Sequence, residues 1–189
     1  MAKDIIIGID AGTSIIKAVA FTLNGKEITT SSIANIYKTS QNGHATQPLD
    51  TTWKNCINVI SDISKKIQNL KNRLALISIT GQGDGTWLID KEGNPVCDAW
   101  LWLDARSSGV VKELTNLESE NSRFNATGTA IFAGQQSAQI SYMEKNNPEI
   151  LNKSTTAFHC KDWIYYKLTN IRATDPSEAC FTYGNFRSK

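Results

Sequence analysis

Three apolar, β-branched runs lie within the first 37 residues, and no other feature of the sequence constrains the fold as strongly. The runs are DIIIGI (4–9), IKAVAFTL (16–23) and KEITTSSIANIY (26–37). The turns between them are short, and the second contains Asn24-Gly25, a pair that tolerates the positive φ of a tight hairpin turn. The sequence therefore predicts a three-stranded antiparallel meander at the start of the chain.

The hydrophobic period then changes from that of a strand to that of a helix. Residues 37–49 are polar and predict a surface loop. From Asp50 or Thr51, the expected N-cap, apolar residues recur every three or four positions to Leu70, which predicts an amphipathic helix. The apolar run LALISIT (74–80) follows directly and predicts a buried central strand. This order of elements indicates a mixed α/β domain.

The remaining sequence predicts one hairpin and several helices. TWLID and VCDAWLWLD flank the turn KEGNP, so residues 86–104 are expected to form a hairpin. Helices are expected at about 107–118, 134–146 and 160–168, and the segment after Thr169 is short and rich in turn residues.

Composition excludes several classes of protein. A chain of 189 residues with 40% hydrophobic and 20% charged residues fits one globular domain, and a net charge of +2 without a basic stripe argues against a nucleic-acid partner. The apolar start is too short for a signal peptide or a membrane span. The four cysteines and two histidines have no metal-ligand or CxxC spacing, so reduced thiols and a cytoplasmic location are expected.

The first candidate site is the segment DAGTS with the lysine that follows it. At the tip of a hairpin, Gly12 would let the backbone approach a phosphate, Thr13 and Ser14 would offer hydroxyl and amide groups, and Lys17 would offer charge. Asp10 could hold Mg²⁺ or its water ligands. The alternative is an ordinary tight turn, which favours the same small polar residues.

The second candidate site is the GQGDG segment after the apolar strand. Ligands of α/β folds gather at the carboxyl ends of strands, so Gln82 and Asp84, on either side of Gly83, are placed to hydrogen-bond hydroxyl groups. A glycine-rich turn whose aspartate bonds its own backbone explains the segment equally well.

The third candidate site is the segment WLWLDAR. Trp102 could stack on the apolar face of a polyol, while Asp104 and Arg106 could bond its hydroxyl groups. The alternative is a strand with core tryptophans, of which Trp100 is one, followed by a helix-capping aspartate. The pair His159-Cys160 suggests a catalytic dyad only weakly, because consecutive helical residues face different directions.

Five motifs in order give the chain a resemblance to the FGGY carbohydrate kinases. They read IDAGTSIIKA, ITGQGDGTWLIDKEGNP, WLWLDARS, CKDWIYYKLTN and ATDPSEA, and they span nearly the whole sequence. Within that family the chain looks most similar to the erythritol kinase-like branch. Xylulokinase-like and glycerol kinase-like members usually carry a histidine, or an arginine-glutamate pair, where this chain has Gly83-Asp84.

The resemblance implies a protein of two actin-like, ribonuclease H-like domains with the active cleft between them. Residues 1–189 would form the sugar-binding N-terminal domain, incomplete at its end, and the C-terminal ATP-binding domain and the catalytic base would lie beyond residue 189. ATP and Mg²⁺ are the implied cofactors, and a sugar or short polyol is the implied substrate. The residues that would meet the phosphate are Asp10, which also reaches the metal indirectly, and Gly12, Thr13, Ser14 and Lys17. The polyol would meet the following residues: Gln82, Gly83, Asp84, Trp102, Asp104 and, unless it only braces the loop, Arg106.

Three alternatives stay open on the sequence alone. The substrate could be xylulose or glycerol, the chain could be a non-catalytic sugar-binding fragment, or it could be a ribonuclease H-like nuclease. A nuclease would need further clustered carboxylates and a basic face. The resemblance leaves a homodimer open.

Overall fold

The structure, a computed structural model, describes residues 3–182. The strands are β1 Ile5–Ala11, β2 Ile15–Thr22, β3 Glu27–Ala34, β4 Lys38–Thr39, β5 Ala45–Gln47, β6 Leu74–Gly81, β7 Trp87–Ile89, β8 Ala99–Trp100 and β9 Thr156–Phe158. The helices are α1 Leu49–Lys66, α2 Leu70–Arg73, α3 Ser108–Thr115, α4 Ser119–Thr127, α5 Gln136–Asn146, α6 Pro148–Lys153, α7 Cys160–Thr169 and α8 Pro176–Thr182. The prediction of a mixed α/β fold is confirmed.

The main sheet has the strand order β3-β2-β1-β6. The three N-terminal strands form the predicted antiparallel meander, and β6 runs parallel to β1. Alternate residues of β1, namely Ile5, Ile7 and Ile9, are buried, and α1 packs on the neighbouring strands β2 and β3. The core therefore lies between the sheet and the apolar stripe of α1, as its three-to-four residue period predicts.

Helix α1 begins earlier than expected. Its N-cap is Pro48, with φ −67°, rather than Asp50 or Thr51, and no side chain caps it. Leu49 is 1% exposed, and its carbonyl accepts a 3.0 Å hydrogen bond from the indole of Trp163 on α7. Because Leu49 is buried at this position, the helix begins before Asp50 and Thr51, although these two residues would be better N-caps.

The predicted central position of β6 is wrong within residues 3–182, where β6 is an edge strand of the sheet. Leu76 is 47% exposed, because one side of the strand is covered by α7 while the other is not covered by any described element. A nearly continuous apolar run predicts burial on both faces, but it does not tell which elements supply the cover.

The segments on either side of the KEGNP turn, which contain β7 and β8, pair with strands distant in sequence. β7 pairs with β9 and β8 pairs with β5, whereas the expected hairpin at 86–104 is held by two isolated bridges, Thr86 with Trp100 and Ile89 with Pro95. The predicted loop at 37–49 contains β4 and β5, so that prediction is wrong for those residues.

The helical predictions hold for α5 and α7, with small differences in their ends. The helix expected at 107–118 ends at Thr115, and a separate helix, α4, follows it. The segment after Thr169 contains α8. No helix among the described residues is both long and apolar enough to cross a bilayer.

Candidate functional site

The first two candidate segments meet because their strands end together. Ala11 and Gly81 are paired in the parallel register of β1 and β6, so the DAGTS turn and the GQGDG loop leave the sheet at one edge. The amide of Gln82 donates a 3.1 Å hydrogen bond to the carbonyl of Ala11. The carboxyl ends of parallel strands thus bring the predicted phosphate and polyol elements side by side.

Asp10 and Lys17 face each other across the hairpin of β1 and β2. Both side chains are exposed, and together with Ser78 and Thr80 of β6 they line an open depression of about 320 Å³. An exposed carboxylate opposite a lysine in an open depression can take part in binding a phosphate and its counter-ion.

Close packing at Gly12 and hydrogen bonds from Asn35 fix the shape of the turn between β1 and β2. A Cβ atom on Gly12 would lie 2.7 Å from the carbonyl oxygen of Ile15, so only glycine fits the turn. The side-chain amide of buried Asn35 donates a 3.0 Å hydrogen bond to the carbonyl of Gly12. The backbone amide of Asn35 donates to the carbonyl of Ser14 at 2.8 Å. The shape of the turn is therefore fixed before any ligand binds.

A chain of side-chain hydrogen bonds joins this turn to the GQGDG loop. The hydroxyl of Thr13 donates to Oε1 of Gln82 at 2.9 Å, and Nε2 of Gln82 donates to Oε1 of Gln47 at 2.8 Å. Nε2 of Gln47 returns to the carbonyl of Thr13 at 3.0 Å. The amide of Gln82 is thus engaged at both ends within the protein, which favours a role in holding the two loops together.

Trp102 lies at the mouth of the site. Its indole Nε1 donates to Oγ1 of Thr13 at 3.1 Å, while the side chain is 49% exposed. Its backbone is tightly packed, because a Cβ atom on Gly134 would lie 1.7 Å from the carbonyl oxygen of Trp102. An indole with one edge fixed and one face open is suited to stack on a ligand.

Asp84 is held in an unusual state. Its φ is +52°, a left-handed conformation that few non-glycine residues adopt, and its Oδ1 is buried without a hydrogen-bond partner among the described residues. Burial raises the pKa of the Asp84 carboxyl, the neighbouring Glu178 raises it further, and His159 lowers it. An aspartate with an unsatisfied buried oxygen is a candidate to accept a hydrogen bond from a ligand.

Asp104 and Arg106 form an ion pair with each other and contact neighbouring protein groups. Asp104 is 1% exposed, and its carboxylate accepts from the Ala45 amide at 2.7 Å and from the Arg106 guanidinium at 2.8 and 2.7 Å. The guanidinium also lies 3.6 Å above the ring of Trp100. These contacts favour the alternative in which the pair braces the tryptophan loop.

Two glutamines of α5 support the same loops, and sequence reasoning missed them. Nε2 of Gln136 donates to the carbonyl of Gly85 at 3.3 Å, and Nε2 of Gln139 donates to the carbonyl of Leu101 at 2.9 Å. Both glutamines are buried. The sequence feature that could have revealed them is their spacing, because two residues three positions apart lie on the same face of a helix, and here that face is the buried one.

His159 and Cys160 do not form a dyad in the described structure. The imidazole lies against Asp162, with Nδ1 3.3 Å from Oδ2, and 3.8 Å from Glu178 through Nε2. The thiol of Cys160 points instead to the carbonyl of Ala11 at 3.5 Å, and burial raises its pKa well above the usual value. A neutral, enclosed thiol is a poor nucleophile.

The fit of Mg²⁺ to the site depends on a single carboxylate. Among residues 3–182 there is no group of three or more histidine, cysteine and acidic side chains that could hold a metal ion by itself. Magnesium commonly keeps several water ligands and uses one or two carboxylates together with substrate phosphates. The exposed Asp10 fits that pattern, since it would share the ion with a bound nucleotide.

Comparison with known proteins gives a consistent result. Residues 5–184 match the family model described as FGGY family of carbohydrate kinases, N-terminal domain. The chain is 50% identical to the erythritol kinase of Brucella abortus over 98% of its own length and 36% of that protein. It is 27% identical to the xylulose kinase of Staphylococcus xylosus over 94% of its length and 36% of that protein.

Solved structures share the fold. The xylulose kinase of Rhodospirillum rubrum superimposes with a TM-score of 0.92 at 21% identity, over 97% of this chain and 38% of that one. The Plasmodium falciparum glycerol kinase with ADP gives a TM-score of 0.84 at 22% identity, over 96% of this chain and 37% of that one. The chain therefore spans little more than a third of its relatives, and the expected resemblance is confirmed: it belongs to the FGGY family of carbohydrate kinases.

Proposed function

We propose that this chain supplies the substrate-binding and phosphate-hairpin part of an ATP-dependent kinase acting on a short linear polyol such as erythritol. The observation that carries the proposal is the 50% identity to an erythritol kinase over nearly the whole chain, against 27% to xylulose and glycerol kinases. The contact between Trp102 and Thr13 supports it, because it joins the polyol element to the phosphate element.

On the phosphate side, Lys17 supplies charge, Ser14 offers its hydroxyl group, and Thr13, whose hydroxyl proton is donated to Gln82, offers its backbone amide at the tip of the rigid turn that Gly12 permits. Asp10 takes part in holding Mg²⁺, whose charge would offset that of the phosphoryl group during transfer. The residues of this chain thereby orient the γ-phosphate of ATP next to the polyol pocket, and correct placement is a large part of catalysis of phosphoryl transfer.

On the polyol side, Trp102 provides a stacking face and Asp84 accepts a hydrogen bond from a hydroxyl group. Gly83 leaves the loop without a side chain at the point where a Cβ atom would lie 3.3 Å from Oε1 of Glu178. Larger residues, such as those of the xylulokinase-like branch, would need Glu178 to move. Gln82, Asp104 and Arg106 act through the loops that they hold.

The remaining parts of the proposed activity lie outside this chain. Its relatives are almost three times as long, since it covers 36% of the erythritol kinase. We propose that the C-terminal part of a longer protein supplies the adenine site, the catalytic base and the opposite wall of the cleft, in the cytoplasm. The family match gives no support to the nuclease alternative, and a non-catalytic sugar-binding role is the outcome to distinguish.

The test joins this chain to the C-terminal remainder of the Brucella abortus erythritol kinase and measures erythritol-dependent ADP release. Asp10→Asn is expected to lower kcat by about 100-fold, because charge stabilisation in the transition state is lost. Asp50→Asn, an exposed aspartate on α1, is the matched control and should leave kcat unchanged. Erythritol binding without turnover in a folded fusion would favour the non-catalytic role instead.

A further inference from the structure

The candidate is Glu178, an acidic residue of the ATDPSEA motif that the proposed mechanism does not use. It lies on α8 and is 8% exposed. Acidic side chains are seldom buried unless they are paired, so its position calls for a partner. Its neighbours belong to the GQGDG loop and to the start of α7, which are remote from it in sequence.

The contacts of the carboxylate converge on the polyol loop. Oε2 of Glu178 accepts a hydrogen bond of 3.4 Å from the backbone amide of Asp84. Nζ of Lys161 lies 3.6 Å from Oε1, and Nε2 of His159 lies 3.8 Å from Oε2. Lys161 therefore places a positive charge beside the buried carboxylate, and the backbone amide of Asp84 donates a hydrogen bond to it.

The segment that carries Glu178 is itself fixed. Lys161 forms an ion pair with Asp175 and donates to Oγ of Ser177 at 3.0 Å. Asp175 accepts from the amide of Ser177 at 2.8 Å. Lys161 therefore ties α7 to the beginning of α8, and Glu178 reaches the loop from a fixed position.

The loop needs such support at Asp84. This residue has a φ of +52°, and its Oδ1 has no hydrogen-bond partner among the described residues. A left-handed aspartate is strained relative to glycine and persists only where its surroundings hold it. Glu178 can hold Asp84 in this conformation through its hydrogen bond with the Asp84 backbone amide.

We propose that Glu178 is a positioning residue, which holds the Asp84 amide and so orients the Asp84 carboxylate toward a bound polyol. The inference rests on the proposed function, in which Asp84 binds a hydroxyl group. Glu178 does not touch the polyol in this arrangement. The hydrogen bond also accounts for the proximity of the ATDPSEA motif to Asp84, which lies 94 positions earlier in the chain.

Two neutral variants of the 189-residue chain isolate the hydrogen bond. Glu178→Gln keeps an acceptor oxygen, whereas Glu178→Met keeps the volume and removes the acceptor. Glu144→Met, an exposed residue of α5, is the control. The measurements are erythritol affinity by calorimetry, and the proton shift, solvent exchange and HN–Hα coupling of the Asp84 amide by NMR.

The Met variant is expected to weaken erythritol binding about 10-fold, to move the Asp84 amide signal and to speed its exchange, while the Gln variant stays within about 3-fold of the parent. Glu144→Met should change none of these. Equal affinity and an unmoved amide signal in the Met variant would overturn the inference, as would equal losses in both Glu178 variants.

Two further outcomes are also decisive. If the parent chain binds no erythritol, the proposed function fails, and the Asp84 amide measurements alone judge the positioning role. If Glu178→Met does not fold, slow exchange of the Asp84 amide in the parent and in Glu178→Gln is expected. Exchange there as fast as in an exposed turn would refute the role.

Discussion

The indole nitrogen of Trp102 lies 3.1 Å from the hydroxyl oxygen of Thr13, although the two residues are 89 positions apart in the sequence. The same hydroxyl donates to Gln82 at 2.9 Å. One hydroxyl therefore connects the exposed aromatic face with the hairpin turn and with the GQGDG loop. A ligand that displaces the indole would therefore break its hydrogen bond to Thr13, which lies on the phosphate side.

This relationship predicts different effects for two substitutions of Trp102. Trp102→Ala should weaken erythritol binding about 10-fold through loss of the stacking face. Trp102→Phe should weaken it less, because a ring remains and only the N–H bond to Thr13 is lost. Calorimetry on the 189-residue chain measures both, with Phe124→Ala, at another exposed aromatic residue, as the control. Equal affinities for the parent and the Ala variant would exclude a stacking role.

The buried pair of Asp104 and Arg106 is expected to control stability. Asp104→Asn should lower the free energy of unfolding by about 3 kcal/mol, because it leaves the guanidinium without its charged partner. Glu120→Gln, in the more exposed pair with Arg123, should cost only about 0.5 kcal/mol. Urea unfolding measures both changes. A stable Asp104→Asn chain that no longer binds erythritol would indicate direct contact with the polyol instead.

Close packing at Gly134 makes a second prediction about stability. Gly134→Ala places a methyl group against the Trp102 carbonyl, and it should destabilise the chain by about 3 kcal/mol. Gly109→Ala adds a methyl group in open space at the start of α3, and it should stabilise the chain by up to about 1 kcal/mol. Equal thermal unfolding midpoints for the two variants would contradict the packing described at the tryptophan loop.

The raised pKa of Asp84 predicts a pH-dependent gain from Asp84→Asn. The folded chain binds this proton more tightly than the unfolded chain, so ionisation of Asp84 costs stability above the folded pKa and costs nothing below the unfolded value. Asparagine also tolerates positive φ. The variant should therefore be more stable at pH 7 by on the order of 0.5 kcal/mol, a small value because solvent screens a half-exposed carboxylate.

The gain from Asp84→Asn should shrink as the pH falls through the raised pKa, because the parent carboxyl then becomes neutral too. Denaturant unfolding at several pH values measures it, and Asp50→Asn is the control. A gain that grows toward acidic pH would show the sign of the shift to be opposite. The same variant should bind erythritol more weakly, since a carboxylate acceptor is lost.

Local patterns were sufficient to predict the meander and the long helix, because the turn at Asn24-Gly25 and the period of α1 are encoded by neighbouring residues. They were not sufficient for pairings between distant segments. Trp87 pairs with Phe158, and nothing near residue 87 indicates that partner. The exposed edge of β6 was missed for the same reason, since an apolar run does not specify what covers it.

The candidate site, like the fold, could be predicted from the sequence only in part. The hairpin turn and the two loops were found from their residue types, and the structure brings Thr13, Gln82 and Trp102 together. The support of those loops could not be derived, because it depends on burial. Asn35 and Gln136 act on backbone carbonyls of distant segments, and a buried amide resembles an exposed one in sequence.

The 189-residue chain alone is expected to transfer no phosphate above the background rate of ATP hydrolysis, although it binds polyol. Its described elements form the turn and the polyol loops but no opposite wall, so the site stays open to water and its charges are screened. An ADP-release assay with MgATP and a panel of polyols measures this. Turnover that depends on polyol and is lost in Asp10→Asn would mean that a base lies among the carboxylates of this chain.

The specificity of the enzyme joined to the C-terminal remainder of the Brucella abortus relative tests the central proposal most directly. The measurement is kcat/KM for erythritol, xylulose and glycerol under identical conditions, with Glu144→Met as the control for the fused protein. The account predicts the highest kcat/KM for erythritol, and a loss of that preference in Trp102→Ala. The highest kcat/KM for xylulose or glycerol would contradict it.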